Sequence, residues 1–305
     1  MIVLHEGPAS EFSTAAFGKF SDIFKEGIVR YGDRKGPIAN TVISMQQFFT
    51  TEHLIAFILG SIIGSFANVC IHRLPSRQSI VFPSSQCPHC QQAIRPWHNI
   101  PLLSYLLLKG CCAYCHAPIS WRYPLVEFLC GLLYVLVYHH FGLSIQGVVF
   151  ALLVTSLLII SFIDLAHKII PDVITLPGIV AGILISSLVT LVGLDNSALI
   201  GLGSAALGVV LGGGLFFLVA VLSRGGMGGG DIKLIAMIGA FLGWRAVLVT
   251  IFLGALSGAI VGIGLMLLHK KGRKDPLPFG PFLALGALLA MVGGQDVLLW
   301  YLYLP

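Results

Sequence analysis

The sequence predicts an all-α, polytopic membrane protein with about eight transmembrane helices and a small metal-binding loop. Three observations carry this. Of 305 residues, 56% are hydrophobic and only 10% are charged, against roughly 25% charged in a soluble domain. Apolar runs near the ~20 residues that cross a bilayer recur at about 52–71, 125–141, 145–163, 173–193, 198–222, 232–243, 246–268 and 279–303. Lys and Arg alternate with the spans, as cytoplasmic loops require. With the first span starting outside, the inner loops hold Arg73, Arg77, Arg95, Lys109, Arg122, Lys168, Arg224, Lys233, Lys270, Lys271, Arg273 and Lys274, and the outer loops only Arg245. The sixth run is short and merges readily with its neighbours.

Residues 1–44 stand apart, with balanced charge and no long apolar run. They are expected to be a weakly ordered tail or an overextended start, with Met45 a natural first residue and no signal peptide. A first transmembrane segment over 45–71, a hydrophilic loop over 72–124 and a membrane domain over 125–305 follow. Glycines within the spans, among them Gly208, Gly212, Gly254 and Gly258, are expected to let helices approach closely. No internal repeat is evident.

The loop carries "CPHC" at 87–90 and "CCAYC" at 111–115. The pairs Cys87/Cys90 and Cys112/Cys115 resemble the two knuckles of a zinc ribbon, and four thiolates make a closed, structural site. Disulfides are the competing reading, disfavoured in a reducing cytoplasm. Cys111, His89 and His116 are alternative ligands, more simply bystanders. Cys70 and Cys130 read as buried packing.

Beyond the tail there are eight acidic residues. Glu52, Asp195 and Asp296 fall at outer span ends and Asp275 in a basic loop, where solvation explains them. Glu127, Asp164, Asp172 and Asp231 remain, and ionisable groups at membrane depth point to function. Asp164, Asp172 and Asp231 all fall at the cytoplasmic ends of spans. Two carboxyls that meet can share one proton, one activating water and the other protonating a carbonyl. Gly228, Gly229 and Gly230 ahead of Asp231 would let the backbone unwind and an extended peptide approach. From the spacing alone, a protease, a transporter with broken helices around an ion site, and a helix cap at Asp231 stand level. A non-catalytic assembly factor is a further alternative. No nucleic-acid partner is expected.

An ordered series of motifs narrows this. "GSFANVCIHRLP" (64–75), "CPHC" (87–90), "NIPLLSYLLLKGCCAYC" (99–115), "RYPLVE" (122–127), "FIDLAHKIIPD" (162–172) and "GMGGGDIKL" (226–234) together resemble the bacterial type IV prepilin peptidases, Gly-x-Gly-Asp intramembrane aspartic proteases. The resemblance spans about residues 50–290. It implies that Asp164 and Asp231 are the catalytic pair, with Asp172, Gly228, Gly230 and Lys233 supporting. It also implies an inner-membrane enzyme that cuts the basic leader of prepilins or pseudopilins after a glycine at the cytoplasmic face. The new N-terminal residue is then methylated with S-adenosylmethionine. The partners implied are these substrates and membrane lipid. The methyl-donor site is associated with the first motif and the zinc loop, where Gly64, Asn68, Arg73 and Glu127 are the candidates. Ala67 stands where the family often has leucine, a small apolar change.

Overall fold

The computed structural model describes residues 51–192, 199–223, 226–268 and 277–302, with side chains of the last helix described as far as Gly293. The tail 1–44, Met45, Asp195, Asp275 and the Asp296 side chain lie outside the described residues. Among the described residues there is no β-strand. Helices α1 (Thr51–Arg73), α3 (Arg122–Phe141), α4 (Ile145–His167), α5 (Asp172–Val192), α6 (Leu202–Leu222), α7 (Gly229–Leu267) and α8 (Gly280–Leu302) form the bundle, and a five-residue helix α2 (Leu103–Leu107) lies in the loop between α1 and α3. Six of them are long and apolar enough to cross a membrane, and Gly280–Gly293 adds a shorter apolar stretch.

The sixth and seventh apolar runs fall within α7. At about 1.5 Å per residue, its 39 residues would reach about 58 Å if straight, roughly twice a ~30 Å hydrocarbon core. The helix breaks instead at Gly243, whose φ of 80° and ψ of 175° belong to a region essentially closed to residues with a Cβ. The break reverses the chain. A Cβ built on Gly212 of α6 would lie 3.2 Å from both Ile235 and Val247 Cγ1, which a straight helix would separate by about 18 Å. The two limbs of α7 therefore run antiparallel, and the described residues hold eight apolar helical segments, which fits about eight passes.

Close approach of helices holds the bundle together, because lipid gives apolar faces little reason to associate. Gly208 of α6 lies against the Gly239 backbone, Gly182 of α5 against Ala240, and Gly286 of α8 against the Thr250 carbonyl. The packing expectation holds at Gly208, Gly212, Gly254 and Gly258, but Gly203, Gly214 and Gly264 face open space. A second seam joins α1 to α3, where Gly60 and Gly64 meet Cys130, Tyr134 and Glu127. Helix α4 lies at the centre. Of its most apolar window 61% is buried, against 22% for α3, α5 and α6. Leu153, Leu157 and Ile160 pack towards α7 and α8, while Ile159 and Ile163 pack on Ala67 and Cys70 of α1 and Val126 of α3.

The loop between α1 and α3 contains a repeat that the amino acids conceal. In 85–94 and 110–119 every backbone hydrogen bond recurs 25 residues later. Gln91 N–H to Cys87 O matches His116 N–H to Cys112 O, and Ile94 N–H to Ser85 O matches Ile119 N–H to Gly110 O. The bridge Gln86–Ala93 matches Cys111–Pro118, and Gln91 and His116 share a φ of 56°. Identity survives only at the cysteines and the closing isoleucine, so the sequence reads as non-repetitive while the backbone repeats.

Gly243→Ala should cost about 1–3 kcal/mol and lower the thermal unfolding midpoint of the purified protein in detergent. Gly214→Ala, in open space within a helix, should leave that midpoint unchanged or raise it.

Candidate functional site

Asp164 occupies the last turn of α4. Lys168 closes that helix in the left-handed conformation, its N–H donating to Asp164 O at 2.8 Å, and Pro171 prevents continuation. The Asp164 side chain is only 5% exposed. Its Oδ2 accepts a 2.8 Å hydrogen bond from the Gly280 N–H at the start of α8. A Cβ on Gly280 would stand 2.8 Å from that same oxygen, so glycine is required for the contact. Gly280 escaped the sequence reading; its signal was "PFGPF", a proline and glycine pair opening an apolar run.

Asp231 stands in the first turn of α7, partly exposed. Its carboxyl accepts from the Gly228 N–H and lies close enough to Asp164 for the two charges to interact. Two side chains 67 positions apart (231 − 164) are thus brought together at one end of the bundle. The bond to Gly228 is one half of a capping box, so the capping geometry exists beside the pairing.

The glycines before Asp231 act differently from the expected unwinding. Gly228 is the extended N-cap and α7 begins at Gly229. A Cβ on Gly228 would come within 3.3 Å of Asp231 Oδ2, and one on Gly230 within 2.8 Å of Ile170 Cβ. They make room for the carboxyl and for the α4–α5 turn. Asp172 and Lys233 prove to be partners of each other. Lys233 Nζ donates to Asp172 Oδ1 and Oδ2 at 2.7 and 2.8 Å. The pair links the starts of α5 and α7 two residues from Asp231. Both side chains are substantially exposed, so the link is worth about 0–1 kcal/mol.

The four expected cysteines converge. Sγ atoms of Cys87, Cys90, Cys112 and Cys115 all lie within 4.8 Å of one another, a fit for one metal ion. Cys87 Sγ and Cys115 Sγ are 3.8 Å apart, the separation that metal–sulfur bonds of about 2.3 Å give in a tetrahedron. All seven cysteines are free. Backbone N–H groups of Cys90 and then His89 pull the Cys87 thiol down to about 6. Those of Cys115 and Tyr114 lower Cys112. At Cys115 the Ala117 backbone acts in the lowering direction but is outweighed by burial and the neighbouring thiols, which push it up to about 11. Cys111 turns away to the Lys109 carbonyl, and its repeat position is Gln86.

Between these knuckles, the end of α1 and the start of α3 lies a cavity of about 900 Å³ lined by Asn68, Arg73, Tyr105, Tyr114 and Glu127, among others. That is room for a small organic ligand. Asn68 Nδ2 donates to the Tyr123 carbonyl at 3.0 Å, tying α1 to α3. Arg73 donates to the Ser79 and Pro83 carbonyls at 2.9 and 2.8 Å, folding the loop over the opening. Glu127, 9% exposed, accepts from the Leu102 N–H at 2.8 Å. Leu102 adopts a φ of 60° there, an unusual conformation for leucine. Gly64 does not line the cavity; it packs beneath the Glu127 backbone. Glu52 is exposed and accepts a hydrogen bond from Tyr138.

Residues 58–141 match the bacterial peptidase A24 N-terminal domain, and residues 151–263 match the type IV leader peptidase family. A prepilin leader peptidase/N-methyltransferase of Stutzerimonas stutzeri is 38% identical over 273 residues, covering 82% of this chain and 93% of its own. Those of Pseudomonas aeruginosa and Legionella pneumophila are 38% and 35% identical, covering 83% and 82% of this chain and 96% and 94% of their own. No solved structure matches the chain significantly.

Cys112→Ser should release the metal from protein purified under reducing conditions, whereas Cys111→Ser should retain it. Elemental analysis of the metal-to-protein ratio distinguishes them. Protons compete with the metal for thiolates, so acidification should empty the site of the unaltered protein.

Proposed function

The chain belongs to the type IV leader peptidase family, and from that premise we propose that it is a membrane-embedded aspartic endopeptidase and N-methyltransferase. Asp164 and Asp231 are its catalytic pair. It removes the basic leader of a prepilin or pseudopilin after a glycine, at the cytoplasmic face of the inner membrane. It then methylates the exposed amino group with S-adenosylmethionine. The observation that carries the reading is the meeting of the two carboxyls, from the last turn of one helix and the first turn of another.

The chemistry follows from the pair. One carboxylate takes a proton from water as that water's oxygen attacks the scissile carbonyl carbon. The other carboxyl gives its proton to the carbonyl oxygen. The tetrahedral species collapses as its C–N bond breaks, and the leaving nitrogen receives a proton from the pair. The Gly280 N–H fixes the Asp164 carboxyl through Oδ2 and leaves Oδ1 for water or substrate. Asp172, Lys233, Gly228 and Gly230 hold the ends of α5 and α7 so that Asp231 faces Asp164. A leader rich in Lys and Arg stays on the side where this chain's own basic loops lie, while the substrate's apolar helix remains in lipid.

Residues 125–305 carry the peptidase. Loop 72–124 and the end of the first segment serve methyl transfer, with zinc as the structural ion of Cys87, Cys90, Cys112 and Cys115. The cavity beside them fits the methyl donor in kind. Tyr105 and Tyr114 offer faces to a purine, Asn68 offers amide polarity, and Arg73 and Glu127 supply opposite charges for a zwitterionic ligand. When bound, S-adenosylmethionine supplies an electrophilic methyl group.

Asp164→Asn and Asp231→Asn should each lower prepilin cleavage by roughly 10³-fold or more, read from leader loss in liposomes by product mass. Gly280→Ala should lower it by about 10²-fold, since a displaced carboxyl forfeits orientation. Lys233→Met should cost less than about tenfold, because the exposed pair it breaks is weak. Undiminished turnover by either asparagine variant in a preparation free of wild-type enzyme would remove the pair from the mechanism. Failure of folded wild type to cut any of several prepilins would remove the function.

A further inference from the structure

The cavity beside the cysteine knuckles has an uneven charge inventory. Among the described residues lining it, Glu127 is the one acidic side chain. The loop that roofs it, 72–124, contains no Asp or Glu at all, against Arg73, Arg77, Arg95, Lys109 and Arg122. A buried carboxylate in a largely apolar chamber is costly to keep unless it is held by donors. The backbone supplies such a donor, with the Leu102 N–H aimed at Oε2 and Leu102 held at a positive φ of 60° to do so. Gly64 brings α1 tight against the Glu127 backbone, which fixes the carboxylate's position from behind.

We propose that Glu127 is the group by which this cavity selects a sulfonium ligand over its neutral thioether. The inference rests on the methyl-transfer reading above and deepens it. A sulfonium carries a permanent positive charge that no proton loss can remove. In a chamber of low polarity such a charge is stabilised by a fixed counter-charge; Glu127 is the one carboxylate lining the chamber, while the Cys87 and Cys112 thiolates on its wall are engaged with their metal. An amine entering the same chamber has the opposite need. It must be uncharged to react, and a carboxylate against it would keep it protonated. When the methyl passes to that nitrogen, the C–N bond forms as the C–S bond breaks. The electron pair stays on sulfur, and the nitrogen sheds a proton to water. The positive charge has then left the sulfur, so the attraction to Glu127 is lost and the spent ligand exchanges more readily. Tyr105 and Tyr114, also lining the cavity, add aromatic rings, a surrounding that suits a cation without a charge of its own.

The test is direct binding of radiolabelled S-adenosylmethionine and S-adenosylhomocysteine to the full-length enzyme in detergent, by equilibrium dialysis. The wild type should bind the sulfonium more tightly. Glu127→Gln keeps an acceptor for the Leu102 N–H but no charge, and should lose roughly tenfold or more of sulfonium affinity. Its thioether affinity should change little. Glu127→Asp should keep part of the preference. Prepilin cleavage and metal content of each variant report whether it is folded, since neither uses Glu127. A folded Glu127→Gln that keeps the wild-type preference overturns the proposal, and if its methyl transfer is nevertheless slow, Glu127 belongs to the amine instead. A wild type that cleaves prepilin yet binds neither ligand overturns the methyl-transfer reading itself, and this proposal with it.

Discussion

One buried carboxylate imposes the arrangement of half the molecule. Asp164 lies at the end of the most buried helix, where a carboxyl without a partner would be expensive. Its partner is a backbone N–H, that of Gly280, so the start of α8 has to arrive at this point. Helix α8 is held by Phe279 and Phe282, which lie against Gly258 and Gly254 on the second limb of α7. That limb reaches α8 because the chain reverses at Gly243. The first limb then returns along α5 and α6 to the opposite end, where Asp231 begins it. Bringing the second carboxyl to the first is therefore a consequence of how the helices pack.

The other half is organised by the cysteine knuckles. Two turns of identical backbone pattern face each other across four sulfurs, and the loop between α1 and α3 gains a rigid frame without a sizeable apolar core. Asn68, Arg73 and Glu127 each reach across from a helix to a backbone group. They shape the cavity as much as they line it. Ile159 and Ile163 of α4 pack on the α1–α3 seam, so the helix that ends in Asp164 also backs the walls of this chamber.

Several expectations drawn from residue types met a different physical cause. The glycines before Asp231 looked like a place for the helix to unwind. They serve instead as clearance for the Asp231 carboxyl and for Ile170. Capping and carboxyl pairing looked like rivals for Asp231, yet the same side chain accepts from Gly228 and faces Asp164. Asp172 and Lys233 looked like separate helpers and are one ion pair. In each case the contact lay beyond what neighbours in the chain reveal.

The sequence by itself determined the apolar helices, the alternation of basic loops, the four metal-type cysteines and the carboxylates worth attention. These depend on composition and local period, since a helix crossing lipid must be apolar along its length and two thiols on one turn must be closely spaced. It also carried the family, through six motifs in order. Only the tertiary structure decided that α7 is two limbs, that the knuckles repeat, that Gly280 holds Asp164, and that Glu127 is the lone acid of a cavity. Those facts depend on groups tens to more than a hundred residues apart, or on backbone conformation that different side chains can share. Helices in lipid are paired by small-residue clearances and single hydrogen bonds, and apolar periodicity carries almost no record of which pairs form.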